Sequence, residues 1–160
     1  MATRSGSVDP GLVLWLADHV GMPPAELAST LEHRSGLLGL AGTADMREII
    51  AGVDAGDQRA RLALDVYVHR LRREIAAMTA SLGGLDAIVF TGGVGERSAR
   101  HLRLAADGLG YLGIALDAGR NTTDDSGDRE IGAAGAAVRA PGRGRARSAD
   151  RRRCAAGLGR

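Results

Sequence analysis

Apolar side chains recur in steps of three and four residues through one long stretch of the chain, residues 57–82. That spacing predicts a long amphipathic helix with one continuous apolar stripe, which we interpret as core packing. The stripe consists of Leu64, Val68, Leu71, Ile75, Met78 and Leu82. The arginines of this stretch fall largely off the stripe: Arg59, Arg61, Arg70, Arg72 and Arg73. A glycine pair follows residue 82 and predicts the end of the helix.

Shorter patterns in the first third of the chain predict further helices. Two stretches with helical spacing of apolar residues begin at Pro10 and at Pro24, and proline is favoured in the first turn of a helix. Residues 35–42 are rich in glycine and small side chains and predict a loop. Asp45 then predicts the cap of a short helix that ends at Gly52.

The second half of the chain alternates between short apolar runs and helical patterns. Residues 87–90 predict a strand, residues 91–97 a glycine-rich turn, and the following stretch through Leu109 a helix. A second apolar run, residues 112–116, predicts another strand. Alternation of this kind is typical of α/β layering around a mainly parallel sheet.

The glycine-rich turn has the composition of a phosphate-binding loop. Residues 90–97 read Phe-Thr-Gly-Gly-Val-Gly-Glu-Arg. A strand that ends in glycines and opens a helix presents backbone N–H groups at the positive end of the helix dipole, with no Cβ to block a phosphate. Taken alone, the turn is more typical of an ordinary tight turn in an α/β domain than of a nucleotide contact.

Composition limits the classes of protein to which the chain can belong. A length of 160 residues with 44% hydrophobic content predicts one modest domain, and the scarcity of aromatics predicts an aliphatic core. No run approaches the roughly 18 apolar residues of a membrane span, and no secretory leader is visible. A single cysteine, Cys154, excludes an internal disulfide. We therefore expect a cytoplasmic protein without a membrane partner.

The positive charge is concentrated at one end. Residues 139–160 hold eight arginines and one acidic residue, whereas residues 1–138 hold 13 basic and 18 acidic residues. The tail has no aromatic residue for base stacking, so we consider nucleic acid an unlikely partner. All basic residues are arginine, which suggests a GC-rich gene. Residues 140–160 are therefore either a disordered tail or the product of a frame-shift near Arg139.

Four stretches together resemble the acetate kinase family. Residues 3–11 resemble its Thr-Arg-Ser-Gly segment before Asp-Pro, and residues 35–47 its loop ending in Asp-x-Arg. Residues 90–98 resemble its Phe-Thr-Gly-Gly-Ile-Gly-Glu-Asn-Ser signature, and residues 116–121 are similar to the region that follows. The order and spacing of these motifs agree over about residues 2–139.

The resemblance implies a fold and an activity. The fold is α/β: residues 1–139 would form the C-terminal, nucleotide-binding part of an actin/sugar-kinase/Hsp70-type (ribonuclease H-like) ATPase domain, helix-rich and followed by a disordered basic tail. The activity is phosphoryl transfer between ATP and acetate, giving acetyl phosphate and ADP, with Mg²⁺. The family also implies a homodimer, and acetate, propionate or butyrate as the acyl substrate.

The resemblance also implies the site residues. Arg4 matches the arginine that stabilises the transferring phosphoryl group, a role that suits a planar guanidinium facing spread negative charge. The nucleotide-binding positions are Asp45, Met46, Arg47, Gly93, Val94, Gly95, Glu96 and Arg97. Arg97 departs from the family's asparagine, so only its backbone contribution carries over. Asp45 also has a second interpretation as a helix cap and Met46 as a core residue.

Several expectations concern what the chain lacks. The four histidines are scattered and we interpret them as surface or core residues, and Ser98 has no evident neighbouring base. The family's metal-associated carboxylate has no counterpart, so no metal ligand is assigned. We expect a fragment that lacks the N-terminal catalytic half and is inactive alone. The alternative is a standalone nucleotide-binding or interaction module that complements a partner half in trans.

Overall fold

A computed structural model describes residues 1–92, 98–122, 129–136 and 138–140. The chain divides into two compact units, Met1–Ala77 and Met78–Arg160, with the division inside one long helix. Within the described ranges, no helix is both long enough and apolar enough to cross a lipid bilayer. The tail after Ala140 lies outside the described residues, so the prediction of disorder there stays a prediction.

The first unit consists of helices. They are α1 (Pro10–Asp18), α2 (Pro24–His33), α3 (Gly36–Ala41), α4 (Met46–Asp54) and most of α5 (Gln58–Leu82). The predicted starts of α1 and α2 are confirmed: Asp9 caps α1 by accepting a hydrogen bond from the Gly11 amide at 2.7 Å, and Pro10 and Pro24 each open a helix. The predicted cap of α4 is also confirmed, because the Asp45 carboxylate accepts the Arg47 amide at 2.8 Å.

Two predictions for this unit are wrong. Residues 35–42 do not form a loop, since they contain α3, whose first free amides find acceptors in the backbone of residues 1 and 2. Helix α4 does not end at Gly52 but runs on to Asp54. Gly52 is accommodated there because it lies against α5, where a Cβ would approach that of Ala60 to 2.9 Å.

Helix α5 has the predicted length, but only part of its stripe is core. Leu64 and Val68 are buried, together with Ala60 and Ala63. Met78 and Leu82 at the other end are 56% and 73% exposed. Core packing is therefore confirmed only for the N-terminal half of the stripe. The remaining core of the first unit is aliphatic, as predicted, and comprises Leu27, Leu37, Met46 and Ile49.

The second unit contains a small sheet and short helices. Strand β1 (Ile88–Val89) pairs in parallel with β3 (Val138–Ala140), and β2 (Arg129–Glu130) pairs with β3 antiparallel, giving the order β1-β3-β2. The prediction of a strand at residues 87–90 is confirmed in part by β1. The sheet is mixed, whereas the alternation of elements predicted a mainly parallel one.

The second predicted strand, residues 112–116, is wrong. A 3₁₀ turn (Gly110–Leu112) occupies its start, and beyond it Leu116 makes only an isolated bridge with Gly132. The turn interrupts the apolar run, so only its last residues reach a neighbouring backbone.

Helices α6 (Ala99–Ala106) and α7 (Ala118–Thr122) complete the described part of the second unit. Helix α6 ends before Leu109, although that side chain is buried as its periodicity indicates. The core of this unit is formed by Phe90, Leu102, Ala105, Ala106, Leu109, Ile114, Ile131 and Ala136.

Candidate functional site

Residues 1–7, the N-terminal segment, lie across the junction between α2 and α3. The amides of Leu37 and Leu38, in the first turn of α3, donate to the carbonyls of Met1 and Ala2, each at 3.0 Å. The Ser35 amide donates to the Thr3 carbonyl at 2.8 Å. The N-terminus of α3, which has no intrahelical acceptor for these donors, is thus satisfied by the segment.

The C-terminus of α2 holds the segment from its other side. The Ser5 amide donates to the Leu31 carbonyl at 2.8 Å, and the Thr3 hydroxyl donates to the Glu32 carbonyl at 3.0 Å. The bond between Ser35 and Thr3 joins two motifs of the family resemblance, residues 3–11 and 35–47. The bonds of Thr3 and Ser5 fix the backbone on either side of Arg4.

Gly36 makes this contact possible. Its φ is +63°, a conformation that other residues adopt at a cost. A Cβ at this position would lie 2.9 Å from the Arg4 carbonyl oxygen and closer still to that of Met1. Both obstacles are backbone atoms, so glycine is required for the segment to approach α3.

The guanidinium of Arg4 is uncommitted. In residues 1–77, all of which the structure describes, no hydrogen bond or ion pair engages it. The other seven arginines of that range are each engaged: Arg34, Arg47, Arg59, Arg61, Arg70, Arg72 and Arg73. Arg4 is therefore available to a ligand.

Arg4 lines a cavity of about 540 Å³ between the N-terminal segment and α5. This volume lies within the range of small-molecule sites. The lining comes from Met1, Arg4, Gly6, Ser7, Tyr67, Arg70, Leu71 and Glu74. Burial raises the pKa of the Tyr67 phenol, so this side chain stays neutral.

Arg70 lies off the apolar stripe of α5, and it was not among the predicted site residues. Its Nη2 donates to the Ser7 carbonyl oxygen at 3.1 Å. A signal was available: Tyr67, Arg70, Leu71 and Glu74 follow i, i+3, i+4, i+7 spacing, so they share one face of the helix. That face combines polar with apolar residues, so it does not stand out in the apolar pattern of α5.

Asp45 and Arg47 form a pair at the N-terminus of α4. The Arg47 Nε donates to Asp45 Oδ1 at 3.0 Å, and its Nη2 is hydrogen-bonded to Oδ2. The hydrogen bond from the Arg47 side chain, assisted by the Arg47 amide, lowers the pKa of Asp45 to about 2. The carboxylate is consequently ionised at neutral pH, and its partner Arg47 has a 90% exposed side chain.

Met46 lies between these two residues in sequence but points elsewhere. Its side chain is buried in the core of the first unit. The interpretation of Met46 as a core residue is confirmed, and only its backbone is left for a ligand. The five positions of the glycine-rich turn, Gly93, Val94, Gly95, Glu96 and Arg97, lie outside the described residues, so their predicted contacts stay predictions.

The expectation that Ser98 has no neighbouring base is wrong. Ser98 caps α6, and its Oγ lies 2.6 Å from Nδ1 of His101, three residues along the chain. His101 is only 3% exposed, and burial, together with the charge of Arg100, lowers its pKa. The spacing between a cap and the third helical residue is the signal that would have found this pair. Because Ser98 also accepts the His101 amide at 3.4 Å, we interpret the pair as a helix cap.

Comparisons with known proteins identify the family of this chain. A model of the acetokinase family matches residues 1–140. An acetate kinase of Leifsonia xyli subsp. xyli is 48% identical over 138 residues, which are 86% of this chain and 35% of the relative. An acetate kinase of Streptomyces coelicolor is also 48% identical over 138 residues, 86% of this chain and 34% of the relative. The chain spans about a third of the length of these relatives.

Solved structures agree with the sequence comparisons. Porphyromonas gingivalis acetate kinase superposes with a TM-score of 0.80 at 33% identity, over 88% of this chain and 36% of the other. A propionate kinase from Francisella tularensis gives a TM-score of 0.79 at 33% identity, over 88% and 37%.

The predicted fold class is thereby confirmed: the chain is a helix-rich α/β part of a domain of the sugar-kinase/Hsp70/actin type. The motifs in residues 3–11 and 35–47, which lie far apart in sequence, meet in the structure, and the family model covers them both. On these grounds the chain belongs to the acetokinase family.

Proposed function

We propose that this chain is the C-terminal, nucleotide-binding part of an acetate kinase, an enzyme that transfers a phosphoryl group between ATP and acetate. The observation that carries the proposal is Arg4, which lines a cavity of about 540 Å³ and has a free guanidinium. Its backbone is fixed by the hydrogen bonds of Thr3 and Ser5, while its side chain has no partner in the described residues. A charged donor of this kind is built to meet an anion.

The role proposed for Arg4 is to stabilise the phosphoryl group in the transition state of its transfer. ATP, when bound, supplies the phosphoryl group, whose charge spreads over three equatorial oxygens in the transition state. A guanidinium offers paired donors to two such oxygens and cannot lose its proton near neutral pH. Since the backbone of Arg4 is already fixed, little reorganisation is needed when that charge develops.

The nucleotide is proposed to bind at Asp45, at Arg47 and at the glycine-rich turn. The Asp45 carboxylate accepts hydrogen bonds from both the amide and the side chain of Arg47. These bonds give the Arg47 side chain a defined position at the N-terminus of α4, which supports the proposed role. Gly93, Val94, Gly95, Glu96 and Arg97 are proposed from the resemblance alone, with backbone amides as the donors, and Met46 contributes its backbone.

Mg²⁺ is expected from the family. In the described residues, no group of three or more His, Cys, Asp or Glu side chains is arranged to hold a metal ion. From the resemblance we assign the metal no ligand, and we derive no step through it.

The isolated chain is proposed to be inactive, since it spans only about a third of its relatives. We propose acetate or another short carboxylate as the acceptor, because the structural neighbours include an acetate kinase and a propionate kinase. From the resemblance we also propose a cytoplasmic homodimer for the complete enzyme. No observation favours the alternative of a standalone module that complements a partner half in trans.

A hybrid enzyme tests the proposal. Residues 1–140 replace the matched segment of the Streptomyces coelicolor acetate kinase, and acetyl phosphate formation from ATP and acetate is measured. We expect an active hybrid in which Arg4→Ala lowers kcat by about 10³-fold, as for other arginines that stabilise phosphoryl transfer. The matched control is Arg61→Ala, which removes an exposed arginine that pairs with Asp65 on α5. It is expected to change kcat less than about twofold.

The proposed nucleotide site is tested by a second measurement, of ATP binding. Calorimetric titration of the 160-residue chain with ATP is expected to give saturable binding that Arg47→Ala weakens by about tenfold, roughly the effect of losing one charge-assisted hydrogen bond. Full kcat in the Arg4→Ala hybrid contradicts the role of Arg4. Absence of heat with ATP contradicts the nucleotide site.

A further inference from the structure

The N-terminal segment has a second anchor, on α5. The Arg70 Nη2 donates to the carbonyl oxygen of Ser7 at 3.1 Å, across 63 positions of sequence. Arg73, one turn further, reaches the Ser7 hydroxyl with its own Nη2 at 3.4 Å. Both donors come from α5, which is packed into the core through the buried side chains of its N-terminal half.

Gly6 shapes the contact from the other side. Its φ is +72°, and a Cβ at this position would lie 3.2 Å from Cζ of Arg70 and closer still to one of its nitrogens. The backbone at Gly6 therefore packs directly against the guanidinium. No larger side chain fits between the segment and Arg70 without moving that group.

Arg4 lies between two sets of anchors. On one side, the bonds of Thr3 and Ser5 tie the segment to α2 and α3. On the other side, Arg70 ties Ser7 to α5. Gly6 is the single residue between Ser5 and Ser7, so the hold on Ser7 restricts the direction in which the backbone leaves Ser5.

We propose that Arg70 is a positioning residue for Arg4: by holding the Ser7 carbonyl, it fixes the N-terminal segment and the direction of the Arg4 guanidinium in the cavity. The inference rests on the role proposed above for Arg4 in phosphoryl transfer. Arg70 lines the same cavity, but its Nη2 is committed to the backbone, whereas Arg4 is free. Arg70 thus acts through Arg4 and is not itself the group that stabilises the phosphoryl oxygens.

The first experiment measures the anchor in the whole 160-residue chain, without reference to activity. Arg70→Met keeps the apolar stem of the side chain and removes its donors. We expect the Ser5 amide to exchange its hydrogen about tenfold faster in this variant, as befits the loss of one hydrogen bond from a charged donor. Arg70→Lys retains one donor and is expected to restore most of the protection. Arg61→Met, an exposed position on the same helix, is the matched control and is expected to leave the Ser5 amide unchanged.

The second experiment measures transmission to Arg4 in the hybrid enzyme. Arg70→Met is expected to lower kcat by roughly 10- to 100-fold, with KM for ATP changed less than about twofold, because misplacing a catalytic group by about 1 Å costs rate rather than binding. Arg70→Lys is expected to recover most of the loss. In an Arg4→Ala background the same Arg70→Met change is expected to have no further effect, since two residues that act as one unit are not additive.

Each outcome decides the inference. Unchanged exchange at Ser5 in Arg70→Met overturns the anchor. Faster exchange, combined with an equal loss of kcat in the presence and absence of Arg4, overturns the positioning role, because Arg70 then acts independently. If Arg4→Ala alone leaves kcat intact, the proposed function fails and the positioning role fails with it. The exchange result distinguishes this case, since the anchor would still be intact.

Discussion

Replacing Gly36 by alanine is predicted to detach the N-terminal segment from α3. The new Cβ would meet the carbonyl oxygens of Met1 and Arg4, and backbone oxygens cannot turn away as the end of a long side chain can. The segment must therefore move as a whole. The hydrogen bonds it makes with Ser35, Leu37 and Leu38 are then lost.

The magnitude follows from two contributions. Alanine at φ +63° costs about 1–2 kcal/mol of backbone strain. The three lost hydrogen bonds contribute about 0.5–1.5 kcal/mol each, so they add about 1.5–4.5 kcal/mol. Because release of the segment relieves the clash, the clash itself adds nothing beyond the lost bonds.

A matched glycine at the other end of the same helix separates the two contributions. Gly42 has φ +80° and would have no atom within 4 Å of a Cβ, so Gly42→Ala incurs the backbone strain alone. Urea unfolding followed by the fluorescence of Trp15, the single tryptophan, reports on the first unit. With a slope of about 2 kcal/mol per molar urea, we expect the midpoint of Gly36→Ala to lie roughly 1–2 M below that of Gly42→Ala.

Hydrogen exchange gives the local counterpart of this measurement. The amides of Leu37 and Leu38 are expected to lose their protection in Gly36→Ala and to keep it in Gly42→Ala. Equal midpoints for the two variants, with both amides still protected, would refute the close approach of the segment to α3. Packing against the segment would then not require glycine at position 36.

The remaining predictions concern pH. The pKa of Asp45 is lowered to about 2, below its unfolded value of roughly 3.9, so the stability it contributes is present above pH 4 and lost as the pH falls towards 2. The difference in urea midpoint between the wild-type chain and Asp45→Asn should close over that range, and a constant difference would contradict the pairing with Arg47. Burial lowers the pKa of His101, so the second unit should lose stability as the pH falls below about 6.5. An NMR titration midpoint for His101 at or above 6.5 would exclude this, and His101→Gln should abolish the pH dependence.

The sequence predicted those elements whose signals are local. The cap at Asp45 and the prolines that open α1 and α2 act within a few residues, and each was confirmed. The length of α5 was also predictable, because its apolar period runs over 25 residues. Where the apolar period stops being buried was not predictable, since Met78 and Leu82 continue the pattern on the exposed side.

The elements that were predicted wrongly depend on partners distant in sequence. Helix α3 forms from a glycine-rich stretch because the backbone of residues 1–3 accepts its free amides, and no pattern within residues 35–42 records that partner. The mixed sheet likewise depends on β3, which joins β1 in parallel from about 50 residues away. Neither partner can be recognised from the period of a single segment.

The candidate site shows the same division between local and distant information. The resemblance identified Arg4, and the structure explains why the family motif around Ser35 and Gly36 accompanies it. That motif contacts the segment carrying Arg4, so the close packing of the two explains the glycine at position 36. Arg70 belongs to the same arrangement, yet it stands in no motif of the resemblance, because its partner is a backbone carbonyl that any residue at position 7 would provide. Residues that hold a backbone in place leave no recognisable spacing in sequence, and only their contacts in the structure identify them.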